Sequence, residues 1–150
     1  MATDDNKQLE LSVYLADDDK DDQDLFKTAL SEINPNIKLR LFIRGKDLIA
    51  AMNSETQKPD LIFLDLYMPI MDGESCLKEI KTNLKQKHIP VIIYSSEFDL
   101  DRIEDLFELG ADGYLKKPFS YDDLITSLEK ILPPSNTYGK DDFFKRQIVA

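Results

Sequence analysis

Five polar side chains, widely separated in the chain, are of the types that move phosphate. They are the adjacent carboxylates Asp17 and Asp18, a third carboxylate at Asp65, the hydroxyl of Ser95 and the ammonium of Lys117. Each follows a short apolar run: LSVYLA before Asp17, LIFL before Asp65, VIIY before Ser95 and Tyr114-Leu115 before Lys117. Three carboxylates brought together repel one another, and a cation must balance them. Oxygen ligands without His or Cys call for a hard ion, and Mg²⁺ suits a site that also receives phosphate. An ionised carboxylate can attack phosphorus to give an acyl phosphate. The cation would screen the incoming group, Lys117 would grip a second phosphoryl oxygen, and Ser95 would donate a hydrogen bond. Taken singly, each residue has a plainer reading. An Asp at a strand end commonly caps a turn or helix, Lys-Pro is ordinary loop chemistry, and Asp-Asp runs are solvated faces. Those readings leave the ordered set unexplained.

The elements that would position these groups follow from hydrophobic periodicity. A short continuous apolar run bounded by turn residues is a strand buried on both faces. Leu61–Leu64, closed by Asp65 and followed by the turn signal Asp72-Gly73, is the clearest case. Strands are expected at Leu11–Ala16, at Ile37 through Arg44, at Leu61–Leu64, at Val91–Tyr94 and at Tyr114-Leu115. Helical spacing follows each one: Leu25, Phe26, Ala29, Leu30 and Ile33; Leu48, Ile49 and Met52; Cys76, Leu77, Ile80 and Leu84; Leu100, Ile103, Leu106 and Phe107; Leu124, Ile125, Leu128 and Ile131. Asp99 is placed to cap the fourth helix, with Gly110 past its end. Ser120 with Asp123 is a capping-box variant for the fifth. Strand–helix alternation requires parallel strands joined by right-handed crossovers, with helices on both faces. The expectation is an α/β flavodoxin-like doubly wound sheet of strand order 2-1-3-4-5. In such a sheet the carboxyl ends of all strands share one edge, so the five polar groups converge.

The chain has 150 residues, 42% of them hydrophobic, enough for one domain with a real core. A net charge of −10 argues against a nucleic-acid-binding module, which needs a basic stripe. The single cysteine, Cys76, excludes an internal disulfide framework and fits a reducing compartment. Cys76 lies on an apolar helical stripe and reads as a buried small hydrophobe. No apolar run approaches the roughly 20 residues of a membrane span, and the first residues lack a signal-peptide pattern. A soluble, cytoplasmic chain is expected. His88, the one histidine, stands in a polar loop without a partner and reads as a surface residue.

With these residues in view, the chain closely resembles the receiver domain of two-component response regulators, over roughly residues 10–132. The markers are Asp17-Asp18 after the first strand, Asp65 in LDLYMPIMDG, Ser95 after IPVIIY, and Lys117-Pro118-Phe119 after ADGYLK. The resemblance implies that Asp65 is the phosphoacceptor, served by a sensor histidine kinase or a histidine phosphotransfer protein. It implies that Asp17, Asp18, Asp65 and the backbone carbonyl of Tyr67 hold Mg²⁺. Ser95 matches the switch hydroxyl, Lys117 the phosphoryl contact, and Tyr114 the switch aromatic that turns inward as Ser95 moves. Tyr67 and Glu97 match the two variable positions flanking the site, where they would tune phosphoryl lifetime by controlling water. A serine stands at 95 where threonine is commoner, which keeps the hydroxyl and loses a methyl. The acidic run Asp17–Asp19, Asp21, Asp22 resembles the start of a subgroup of stand-alone receivers, some paired with phytochrome-type kinases; some of these acids also suit a helix N-terminus.

The resemblance implies a stand-alone receiver whose output is onward phosphotransfer or contact with a protein effector, with no nucleic-acid partner, no membrane partner, and pairing with a second copy left open. It is not expected to be an enzyme beyond self-phosphorylation and slow self-dephosphorylation at Asp65. An aspartate-nucleophile phosphohydrolase would want a second acid two residues on, where Tyr67 stands. A flavin carrier would want a Ser/Thr/Gly-rich phosphate loop where three aspartates stand. A degenerate scaffold would have lost part of the acid–serine–lysine set. Residues 1–9 are expected to be loose, and 133–150 to be a short tail, either frayed or forming a docking helix with Phe144 and Ile148 on one face.

Overall fold

Alternate residues of each central strand enter opposite cores, which is why those strands read as unbroken apolar runs. The computed structural model describes residues 10–54, 56–132 and 147–150. In chain order the elements are β1 Ser12–Ala16, α1 Lys20–Ile33, β2 Lys38–Phe42, α2 Gly45–Ser54, β3 Leu61–Leu64 and α3 Gly73–Thr82. They continue as β4 Val91–Ser95, α4 Leu100–Glu108, β5 Gly113–Lys116, α5 Tyr121–Ile131 and β6 Gln147–Val149. The strands form one parallel sheet of order β2-β1-β3-β4-β5-β6. On one face Tyr14, Ala16, Ile62, Leu64, Ile93 and Tyr114 pack beneath α2, α3 and α4. On the other, Val13, Leu15, Phe63, Ile92, Tyr94 and Leu115 pack beneath α1 and α5. Phe26 of α1 meets Phe63 edge-on at 4.9 Å and Tyr94 at 5.5 Å, joining that helix to two central strands.

Local chemistry places the helix ends. Asp19, Asp72, Asp99 and Ser120 each accept hydrogen bonds from backbone N–H groups of the turn they open. Gly110, at φ 109°, follows the last turn of α4; a Cβ there would also stand 2.9 Å from Lys81 Cγ. Lys81 is itself tied to the Ile89 carbonyl (2.8 Å) and to Asp112 (2.7 Å), while Asp112 accepts from Val91 N–H. Among the described residues no helix is long and apolar enough to cross a membrane.

Three expectations need correction. The sheet has a sixth strand beyond the expected five: β6 pairs with β5 in the register Gly113↔Gln147, Tyr114↔Ile148 and Leu115↔Val149. Ile148 is therefore in a strand and not in a docking helix, and Val149 is buried. Phe143 and Phe144 lie outside the described residues, as do residues 1–9. Secondly, β2 stops at Phe42, short of Arg44. Ile43, which follows that buried ring, is 57% exposed. Thirdly, Leu84 lies beyond the Asn83 cap of α3 and is exposed, so helical spacing there outran the helix.

Candidate functional site

The parallel sheet brings the expected side chains to one edge. The Asp17 N–H donates to the Phe42 carbonyl (2.9 Å) and the Asp65 N–H to that of Ala16 (2.9 Å), so backbone bonds set both carboxylates side by side. Gln23, buried in the first turns of α1, donates from Nε2 to the carbonyls of Asp17 (2.8 Å) and Phe42 (3.0 Å) and pins the β1–α1 loop. The Lys117 N–H donates to the Ser95 carbonyl (2.8 Å), tying the ends of β4 and β5. Asp17, Asp65 and Ser95 are buried, and Asp18 is exposed.

Asp17, Asp18 and Asp65 each offer an oxygen, and those atoms all lie within 4.8 Å of one another. Lys117 Nζ is 2.8 Å from Asp22 Oδ2, 2.9 Å from Asp17 Oδ2 and 3.4 Å from Asp65 Oδ2, and 5.2 Å from the centre of the Tyr94 ring. The Asp17 contact is close enough for an ion pair but is not aligned as a hydrogen bond. Asp17 Oδ2 is thus the buried side-chain oxygen, among the described residues, left without a hydrogen-bond partner. An orphaned carboxylate oxygen beside two further carboxylates, with no His or Cys nearby in the set, fits a hard divalent cation.

Burial dominates the electrostatics. Desolvation pushes the Asp65 carboxyl up to about 7; Lys117 opposes the rise and the charge of Asp17 adds to it. Desolvation likewise raises Asp17, against a hydrogen bond from Asp19 N–H and the pull of Lys117. For Lys117 burial favours the neutral amine, but the bond to Asp22, the Asp17 carboxylate 2.9 Å away and the charge of Asp65 outweigh it and hold the ammonium well above its usual range.

Around the mouth, Ser95 Oγ accepts from Glu97 N–H (3.2 Å). The ring of Tyr114 is buried, its hydroxyl donates to the Glu97 carbonyl, and Phe98 meets it edge-on at 6.4 Å. Burial raises the Tyr114 phenol, with the Ser95 hydroxyl working against it. Tyr67 donates its hydroxyl to Glu97 Oε2 (2.6 Å), closing a side-chain bridge between the β3–α3 and β4–α4 loops. Its backbone N–H lies 3.4 Å from Asp65 Oδ1. His88 is not part of this edge: it stands exposed before β4.

Three contributors escape a sequence reading. Asp22 looks like a helix-dipole acid, yet it reaches Lys117. Gln23 sits on the helical stripe of Phe26 and Leu30, and a polar residue on that stripe was the available signal. Gly73 reads as a turn residue, but a Cβ there would fall 2.2 Å from the Asp65 carbonyl oxygen and 2.7 Å from Leu66 Cα. Ile70, in the same loop, is 89% exposed with φ 72°, a conformation costly for a β-branched residue. Replacing Ile70 by Asn, which tolerates that region, is expected to stabilise the protein by about 1 kcal/mol. Urea unfolding of the two chains measures it, and an unchanged or lower midpoint would show that the loop carries no such strain.

Residues 13–129 match the family model for the response regulator receiver domain. The chain belongs to that family. Among curated relatives, this receiver is 34% identical over 122 residues to the DNA-binding transcriptional regulator NtrC of Salmonella typhimurium. That match takes in 80% of this chain and 24% of the relative, so the chain spans about a quarter of NtrC. Of solved structures, the phosphorylated cyanobacterial phytochrome response regulator RcpA superposes with a TM-score of 0.76 at 28% identity, covering 81% of the receiver and 91% of RcpA. The Mn²⁺-bound form of response regulator Rcp1 gives 0.73 at 28% identity, with the same two coverages. The parallel α/β topology of the receiver agrees with these neighbours, β6 being an addition to the five strand–helix units.

Proposed function

We propose that this receiver accepts a phosphoryl group on Asp65 from a phosphohistidine of a sensor kinase or phosphotransfer protein, and signals the event by protein contact or onward transfer. In the step, a carboxylate oxygen of Asp65 attacks phosphorus, the P–N bond to the donor imidazole breaks with its electron pair leaving on nitrogen, and a P–O bond forms. The observation that carries this reading is the convergence of Asp17, Asp18 and Asp65 around a buried, orphaned oxygen, with the ammonium of Lys117 beside them. Asp17, Asp18, Asp65 and the Tyr67 carbonyl are the groups that would hold Mg²⁺. Bound there, the ion would offset the charge of the approaching phosphoryl group.

The protein's own residues do the rest. Lys117 offers N–H donors to a phosphoryl oxygen, and the Ser95 hydroxyl, which accepts from Glu97 N–H, can donate its own O–H to phosphate while keeping that bond. Tyr114 already lies inward, held by the Glu97 carbonyl. Phosphorylation therefore adds retention: once Ser95 is drawn toward Asp65, the loop bearing Glu97 is fixed, and α4, β5 and α5 present one arrangement to a partner. The Tyr67–Glu97 bridge joins the two loops beside the site, where it would restrict the approach of water to an acyl phosphate. Turnover is limited to self-phosphorylation and slow hydrolysis at Asp65. A cytoplasmic setting, a downstream protein effector and pairing with a second copy belong to the same reading. Nucleic acid does not, given the net charge of −10.

Acetyl phosphate with Mg²⁺ tests this on the unmodified chain. Intact mass should rise by one phosphoryl group, the group should map to the peptide bearing Asp65, and a chelator should prevent its addition. A phosphoryl group found on another peptide would refute the assignment.

A further inference from the structure

The geometry points to Asp22 as a positioning residue that holds Lys117 back and so opposes the phosphorylated state while supporting cation binding. The inference rests on Asp65 being the phosphoacceptor. Asp22 stands in the first turn of α1, where Asp19 caps the helix by accepting from its N–H. From there its side chain reaches the lysine after β5 across a separation of 95 residues. At 2.8 Å this is the shortest contact of the ammonium, aligned as a hydrogen bond; that to Asp65 is 3.4 Å, and that to Asp17, at 2.9 Å, is not so aligned. Lys117 thus lies nearer to a carboxylate at the rim, a third exposed, than to the candidate phosphoacceptor.

Two consequences of opposite sign follow. An ammonium has three N–H donors, and here three carboxylates already surround it. A phosphoryl group on Asp65 must draw Lys117 from Asp22, and its own charge is repelled by the Asp22 carboxylate. A divalent cation at Asp17, Asp18 and Asp65 is affected the other way. Asp22 adds negative charge near it, and by occupying Lys117 keeps the ammonium from competing for the same oxygens. One side chain sets the resting affinity for the ion and the readiness of Lys117 to leave it.

Asp22→Asn separates these effects, since it keeps shape and removes charge; Asp22→Glu keeps charge. Titration calorimetry would measure Mg²⁺ binding to the metal-free chains, then beryllofluoride binding, as an acyl phosphate mimic, at saturating Mg²⁺. Asp22→Asn should weaken Mg²⁺ by about threefold and tighten beryllofluoride by about threefold or more, the range expected of a partly exposed charge-assisted bond. Asp22→Glu should return both toward the wild-type values. Weakening of both ligands would mean that Asp22 merely supports the fold, and an unchanged beryllofluoride affinity would mean that it does not restrain Lys117; either overturns the inference. If the wild-type chain bound Mg²⁺ but not beryllofluoride, the phosphoacceptor reading itself would fall, and the inference with it.

Discussion

An Asp65→Asn chain is expected to take up no phosphoryl group from acetyl phosphate, and yet to be more stable than the wild type once the metal is removed. The loss is complete because the amide has no anionic oxygen to attack phosphorus, and Asp17, the other carboxylate beside Lys117 in the cation set, is fully buried and closed to a donor. The gain in stability comes from desolvation. The Asp65 carboxyl is raised from the ordinary carboxylate range to about 7 in the folded protein. Between those limits the folded chain binds more protons at this position than the unfolded one. Stability from Asp65 is therefore present at low pH and lost as pH rises through the folded value. An asparagine is neutral throughout, so its advantage should grow from about pH 4 and level off above about pH 7. Each tenfold change in proton affinity is worth roughly 1.4 kcal/mol, so the advantage should reach on the order of 2–4 kcal/mol. Saturating Mg²⁺ should shrink the difference, because it binds the native wild type more tightly than the variant that has lost a charged ligand. Denaturant unfolding at about pH 5 and about pH 8, with chelator and with Mg²⁺, supplies the comparison. A variant less stable than wild type at the higher pH without metal would show that burial does not govern this carboxylate.

The second large effect is expected at a residue with no side chain. Gly73 begins α3, and its N–H donates to the Leu66 carbonyl at 2.8 Å. A methyl group added there would collide with backbone on the other limb of the loop, at the Asp65 carbonyl and Leu66 Cα. Backbone cannot rotate aside as a lysine tip can, so the loop must open. Gly73→Ala should cost on the order of 2–4 kcal/mol as forced overpacking of a buried turn. Because the strain falls on the peptide of Asp65, it should also slow phosphoryl uptake on the order of 10- to 100-fold, as a displacement near 1 Å does. Both are read at a temperature where circular dichroism shows the variant folded. Uptake at the wild-type rate by a destabilised variant would mean that the loop absorbs the methyl without moving Asp65.

The strands of the centre were open to reading because both faces of the sheet are covered. LIFL and VIIY are buried at every position, and a polar residue could end them only at the sheet edge. Asp65 and Ser95 stood out for the same reason. The caps at Asp99 and Ser120 were equally legible, since their partners lie two or three residues away. Other features depend on neighbours distant in sequence. Gln147–Val149 shows no periodicity at three residues; its strand exists because β5 offers an open backbone. The reach of Asp22 to Lys117 and the crowding at Gly73 are products of the fold, with no local pattern to announce them.

The strand at the end of the described chain bears on solubility as well. A sheet edge is a row of unpaired N–H and C=O groups onto which another chain can build. Without β6, that row would run along β5, past Tyr114. Covered by three residues, it is replaced by an edge too short to template much. At the opposite edge, β2 sets Lys38 and Arg40 among its half-buried leucines, with the Arg40 guanidinium over the rings of Tyr14 (5.8 Å) and Phe42 (5.1 Å). One border is shortened and the other charged. The sheet thus guards itself against growth by strand addition, and a partner would meet its side chains without its backbone being open to every passing chain.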